Sequence, residues 1–276
     1  MELYTRRLEE QWRHRSSGPT TKEDLEQWVA QLLSRFDSVQ RDGIRKFFIE
    51  AAAITTAYSG CGFFENLISQ ICLHLNISPP RCVAAWEVNA KARVALHGSG
   101  CPMAPAHIFG NLLGVYPKPV VRKMFKVQRT LSREWRSMIN AGVFMHRRMM
   151  EEKGCELLTA LDGLLAGQVP ASSAWCYTHK RFCRIPTPVQ DGGLCLHCAG
   201  TTCVDFSARS TTRAKVMGQH MVPFASWAWA RKAHLEHLIL HECVVQHPSS
   251  MLLKRYLEAI YVLQLRASRS LYVSDD

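Results

Sequence analysis

Residues 49–75 read IEAAAITTAYSGCGFFENLISQICLHL, and two periodicities follow one another inside that stretch. The first ten residues, IEAAAITTAY, are small or β-branched and suit a strand covered on both faces. Gly60 and Gly62 in the SGCG that follows permit a tight turn. Beyond it, Phe64, Leu67, Ile68, Ile71 and Leu75 share one face of a helix. Strand, glycine turn and amphipathic helix together make one βα unit. Further along, CVAAW at 82–86 predicts a second strand ending at Glu87, with a helix over about 88–97 behind it. AHIF at 106–109 predicts a third strand. Three such units in about 65 residues predict an α/β fold on a mainly parallel, doubly wound sheet.

The rhythm breaks at 118–165, a long, basic and mainly helical segment, and loops with Gly, Pro and Ser follow at 166–174 and 186–193. It resumes with a strand over 194–199, a loop carrying Cys203, a helix over about 219–236, a strand over 238–243 and a helix over 249–266. Upstream, Thr20-Thr21-Lys22-Glu23 resembles a capping box, and Leu25, Trp28, Val29, Leu32 and Leu33 predict a helix over 22–36. The expected organisation is a helical extension over 1–48, an α/β domain over 49–250 and a C-terminal helix and tail over 251–276.

Of the 276 residues 47% are hydrophobic, enough for a sizeable core and too many for a disordered chain. No apolar run approaches the ~18 residues that cross a bilayer. The opening MELYTRRLEEQWRHR lacks the apolar segment of a secretory leader. Eleven cysteines without such a leader predict free thiols in a reducing compartment, nuclear or cytoplasmic, and no membrane partner. The net charge of +11 is concentrated. Residues 118–153 carry ten Lys/Arg against three acids and 206–235 carry five against none, whereas 1–50 balance nine against nine. Such concentration favours a polyanion, most plausibly nucleic acid, although a solvated helix face has the same composition.

Residues that carry chemistry collect where strands are predicted to end. In GTTCVDFS, 200–207, Cys203 stands in a short polar loop directly after the alternating run 194–199. In LILHEC, 238–243, Glu242 closes an apolar run. A thiolate and a proton-donating carboxyl on neighbouring strand ends suit covalent attack on an electron-poor ring. The plainer alternatives are a cysteine buried as a small apolar residue and a glutamate paired with His234, His237 or His241. YSGCGFFE, 58–65, with Glu87 at the next strand end, suits a nucleoside. The glycines let backbone approach a ligand at a helix N-terminus, and the carboxylate can accept both ribose hydroxyls. An ordinary βα turn and a helix-dipole charge account for the same residues without a ligand.

YSGCG, Trp86-Glu87, HIFGNLL, GTTCVDFS and HEC stand in the order and contexts of the motifs of DNA cytosine C5 methyltransferases, and residues 50–250 resemble a divergent member of that family. The resemblance implies a three-layer Rossmann-like methyltransferase sandwich, with a helical insertion at 115–165, and S-adenosyl-L-methionine as cofactor. Tyr58, Ser59, Gly60, Gly62 and Phe63 would line the methionine and sulfonium end. Glu87 would hold the ribose, with Val88 beside the adenine and His107 and Ile108 contacting it from the third strand. Cys203 would add to C6 of cytosine and Glu242 would contact N3 and the exocyclic amine, on a base flipped out of DNA. The basic segments 118–153 and 206–235 would hold the phosphates. Four features depart from the family's pattern. Thr202 replaces the proline before the nucleophile, Cys243 the asparagine after the acid, Thr56 the first motif's acid, and no QxRxR arginine pair follows Glu242. A second chain supplying target recognition would complete such an enzyme; a non-catalytic relative that binds nucleic acid is the alternative.

A third reading is a metal-stabilised interaction module. Cys176, His179, Cys183, Cys195, His197 and Cys198 run as C-x2-H-x3-C-x11-C-x-H-C, which has ligands enough for zinc. Cys195 and Cys198 fall in a predicted strand, where alternate side chains point to opposite faces, so no metal ligands are assigned. Cys176, His179 and Cys183 could still form part of a site with one residue from elsewhere. Trp227 and Trp229 are read as helix packing.

Overall fold

In the computed structural model, which describes residues 22–98, 101–140, 147–187, 194–201, 215–243 and 249–260, two helices come first. These are α1 (Lys22–Ser34) and α2 (Ser38–Glu50). The predicted βα units follow as β1 (Ala51–Ala57), α3 (Phe63–His74), β2 (Arg81–Trp86), α4 (Ala90–His97) and β3 (His107–Phe109). A 3-10 turn, Leu112–Val115, leads into α5 (Lys118–Asn140) and α6 (Arg147–Leu165), then the strands β4 (Ser173–Cys176) and β5 (Arg181–Arg184). The chain returns through β6 (Leu194–Gly200), a 3-10 turn at Lys215–Met217, α7 (Met221–His234), β7 (Leu238–Glu242) and α8 (Ser249–Leu257).

All seven strands join one sheet in the order β5-β4-β3-β2-β1-β6-β7. From β3 to β7 the pairing is parallel, and β4 and β5 add an antiparallel hairpin at the β3 edge. Helices cover both faces, which is why the inner strands read as nearly unbroken apolar runs. Ile54, Leu196 and Cys198 pack against Phe48, Phe64 and Ile68 on one face. Ala57, Trp86, Phe109 and Ala199 pack with α5, α6, α7 and α8 on the other. The result is a mixed α/β fold with a mainly parallel sheet between two helical layers, compatible with a Rossmann-like sandwich. Strand order turns back between β1 and β6, so the crevice above those two C-terminal ends is where such a sheet receives ligands. No helix among the described residues is long and apolar enough to cross a membrane.

Three boundaries differ from the sequence expectation. Ile49 and Glu50 end α2 instead of starting β1; an Asp37–Gln40 capping box starts that helix, with Gln40 N–H donating to Asp37 Oδ1 at 2.8 Å. The basic segment is two helices, separated by residues 141–146 outside the described set. Residues 173–184, which carry no strand signal longer than four residues, form the β4–β5 hairpin around a turn in which Lys180 is left-handed at φ 52°.

Along α5, Lys118, Arg122, Lys126, Arg129, Arg133 and Arg136 repeat every three or four residues and are all exposed. Met124, Gln128, Leu131 and Trp135 occupy the opposite, buried face. At 1.5 Å per residue those cations span about 27 Å. Six of the seven cations of this helix therefore form one stripe, with Lys123 beside it. Gln128 donates to the Met217 carbonyl at 2.8 Å, fastening the helix to the turn at which the chain emerges from 202–214.

Candidate functional site

The C-terminal ends of β1 and β2 are tied together by the turn that links β1 to α3. Tyr58 and Gly60 are left-handed at φ 55° and 54°, and Gly62 has φ 91°, a set of conformations that makes the chain reverse within five residues. A Cβ on Gly62 would meet Leu96 Cδ2 at 3.3 Å, so this glycine is needed for packing as well as for its dihedral angle. A Cβ on Gly60 would meet nothing within 4 Å: the space above the turn is open.

Glu87, buried just past β2, grips this turn. Its Oε2 accepts from Gly60 N–H at 2.7 Å, and its Oε1 accepts from Asn89 N–H at 2.7 Å. Asn89 caps α4 through its own side chain. Arg93, one turn into α4, donates to the carbonyls of Glu87 at 3.1 Å and Val88 at 2.6 Å. Val88 itself is exposed beside the acid, as is Phe63 at the mouth of the turn.

Beneath the turn lies a buried polar chain. Ser59 Oγ and Thr56 Oγ1 are 2.6 Å apart, and Thr56 donates to Glu65 Oε1 at 2.6 Å. Burial pushes the Glu65 carboxyl up, partly offset by the Thr56 bond, and its Oε2 has no hydrogen-bond partner among the described residues. Thr56 thus meets a carboxyl supplied by the first turn of α3.

Across the crevice, Glu242 stands at the end of β7 opposite Gly200 of β6. The missing side chain at Gly200 makes room for it. A Cβ there would lie 3.4 Å from Glu242 Oε2 and 4.0 Å from the Tyr58 carbonyl, so the acid and the glycine turn converge on one point. Glu242 is exposed at the end of the edge strand, and the desolvation that it does undergo shifts its carboxyl upward. Thr201 Oγ1 lies 2.6 Å from His241 Nε2, fastening the start of the loop that leaves β6. Cys203, the expected nucleophile, lies outside the described residues, as do Asp205 and Ser207.

The histidines that offered Glu242 a structural partner are engaged elsewhere. His237 Nδ1 accepts from Cys195 N–H at 3.1 Å, and His234 Nδ1 lies 3.2 Å from Arg231 Nη2. Arg231 is fully buried and ion-paired with Glu236. His197, whose Nε2 accepts from Trp227 Nε1 at 2.9 Å and whose Nδ1 is 3.0 Å from Arg231, completes that network. Burial and the neighbouring guanidinium keep both rings neutral, His234 being lowered to about 3. This network beneath β6 is part of the core.

Tyr58, Ser59, Gly60, Gly62, Phe63, Glu87 and Val88 therefore gather around one turn, with Glu242 facing them across β1 and β6. Two expected cofactor contacts are elsewhere. Ile108 packs its side chain under α4 with Ala85 and Leu96. The His107 ring turns to the hairpin side, where a ring nitrogen lies with the sulfurs of Cys176 and Cys183 and a ring nitrogen of His179, all within 4.8 Å of one another. From sequence no metal ligand is assigned; the fold supplies the fourth ligand from β3, 69 residues before Cys176. Glu65 and Arg93 are further residues that the sequence reading passes over. Only a helical projection aligned with the strand end marks Glu65, and nothing local marks Arg93. Compared with protein-family models and with curated proteins, the chain matches none.

Proposed function

We propose that the chain is an S-adenosyl-L-methionine-dependent methyltransferase acting on C5 of cytosine in DNA through Cys203. The observation that carries the reading is the convergence at Gly200. The carboxyl of Glu242 and the glycine turn braced by Glu87 approach the same point above the switch between β1 and β6. The residues present fit the cofactor. Open space over Gly60 admits a ligand against backbone, and a buried carboxylate with one bond to each oxygen has lone pairs left for two ribose hydroxyls. Exposed Val88 and Phe63 offer apolar walls to either side. When bound, the cofactor supplies an electrophilic methyl group.

The chain's own residues supply the rest. Cys203 as thiolate forms a bond to C6 of a flipped cytosine, and the displaced π electrons make C5 nucleophilic. Glu242 hydrogen-bonds N3 and so stabilises the charge that the addition creates. After methylation, loss of the C5 proton to a base re-forms the C5–C6 double bond and expels the thiolate. DNA is the polyanion that best fits the α5 stripe, whose six cations face outward on a helix fastened to the turn at Met217.

Calorimetric titration of the full chain with S-adenosyl-L-methionine tests the cofactor site. The expected result is saturable one-to-one binding, weakened about 100-fold by Glu87→Ala, because charge-assisted hydrogen bonds contribute ~1.5–3 kcal/mol each. Absence of binding by the folded wild type would contradict the reading.

A further inference from the structure

The β4–β5 hairpin is joined to the rest of the sheet over a short edge. Each strand is four residues long, β3 is three, and β3 and β4 share a single register pair, Phe109 with Cys176. One face is solvated: Trp175 is 44% exposed and Phe182 70%. Taken alone, two such strands would be marginal, so the hairpin depends on what it packs against.

On its other face, four ligands converge for reasons that the register makes plain. Cys183 sits opposite Ala174, which shares a strand face with Cys176 two residues on. His107 shares a face with Phe109, the residue opposite Cys176. His179 enters from the turn. His179 Nδ1 is 3.3 Å from Cys176 Sγ and 3.6 Å from Cys183 Sγ, and His107 Nδ1 is 3.7 Å from Cys176 Sγ. Hydrogen bonds alone serve this arrangement poorly. A single ring nitrogen is one donor or one acceptor, yet His179 Nδ1 meets two sulfurs. A cation at the centre satisfies all four. Tetrahedral zinc, with Zn–S of about 2.3 Å and Zn–N of about 2.0–2.1 Å, requires S···N edges of roughly 3.6 Å.

We infer that His107, Cys176, His179 and Cys183 form a structural Zn²⁺ site that staples the hairpin to β3. Two thiolates and two imidazoles are a donor set suited to zinc, and a full protein shell makes the site structural, with no position open for catalysis. Binding releases the two thiol protons to solvent. The staple also reaches the crevice edge. Tyr177, next to Cys176, donates its N–H to the Ile108 carbonyl at 2.7 Å, and its ring lies 3.9 Å from the guanidinium of Arg93. Arg93 in turn holds the carbonyls of Glu87 and Val88. The inference stands on these ligands alone and is independent of any methyl-transfer activity.

The test is elemental analysis of the full chain purified without added chelator, together with zinc-edge X-ray absorption. The expected result is one zinc per chain, with two sulfur and two nitrogen scatterers at about 2.3 and 2.0–2.1 Å. Cys176→Ser combined with Cys183→Ser is expected to lower the zinc content at least tenfold. A folded wild type with no zinc overturns the site, as does full zinc retained by the paired variant. If that variant does not fold, the wild-type absorption spectrum decides: a shell other than two sulfurs and two nitrogens rejects the assignment.

Discussion

Cys203→Ser is expected to abolish the covalent complex that the wild-type chain forms with DNA containing 5-fluorocytosine in the presence of S-adenosyl-L-methionine. Fluorine at C5 leaves no proton for the final elimination, so the C6–sulfur bond persists and survives a denaturing gel. A serine hydroxyl ionises far above a thiol, and the variant has no competent nucleophile at pH 7. The other cysteines provide controls. Burial raises the thiols of Cys72 to about 11 and those of Cys82, Cys101 and Cys198 upward as well, which disfavours their thiolates. Cys61 and Cys155 are exposed, and Cys61 lies in the glycine turn itself. Cys61→Ser and Cys155→Ser are expected to keep the adduct, which distinguishes attack by Cys203 from incidental alkylation.

Glu236→Leu is expected to destabilise the chain by about 3–5 kcal/mol in urea denaturation, because it leaves a buried charge without its partner. Arg231 is 1% exposed, and a guanidinium cannot shed its proton to escape the cost of burial. The reverse change, Arg231→Met, should cost less. Glu236 is already pushed toward its neutral form by burial, with Arg231 opposing that shift, so once alone it can protonate. Arg231→Met with Glu236→Leu should recover part of the loss, and the size of that recovery measures the pair's coupling. Domains of this size have only about 5–15 kcal/mol to lose, so the single Glu236 variant should show a visibly lower midpoint.

Much of the fold was legible because the inner strands carry one signal throughout. Residues 51–57 and 82–86 are uncharged and mostly apolar or β-branched, since helices cover both sides, and each is followed by a glycine or polar turn and a 3.6-residue pattern. The seven residues around the glycine turn could be placed together for the same reason: a turn and the next strand end are neighbours in any parallel sheet. What escaped was long-range pairing. The β4–β5 hairpin is too short for period-two alternation to register, and its ligands depend on β3 lying beside β4, which no local pattern encodes. His107 illustrates the consequence. The family resemblance implied a cofactor contact, whereas the face on which the strand presents the ring selects the Cys176 side. Glu65 drew no reading of its own from the sequence, and only the approach of α3 to Thr56 shows it as the carboxyl beneath the turn.

Transfer of a labelled methyl group from S-adenosyl-L-methionine to duplex DNA, followed by hydrolysis to nucleosides, tests the central claim most directly. The account predicts label in 5-methylcytosine, dependent on both Cys203 and Glu242. Label on another base, or none from a chain shown to bind the cofactor and DNA, would contradict it.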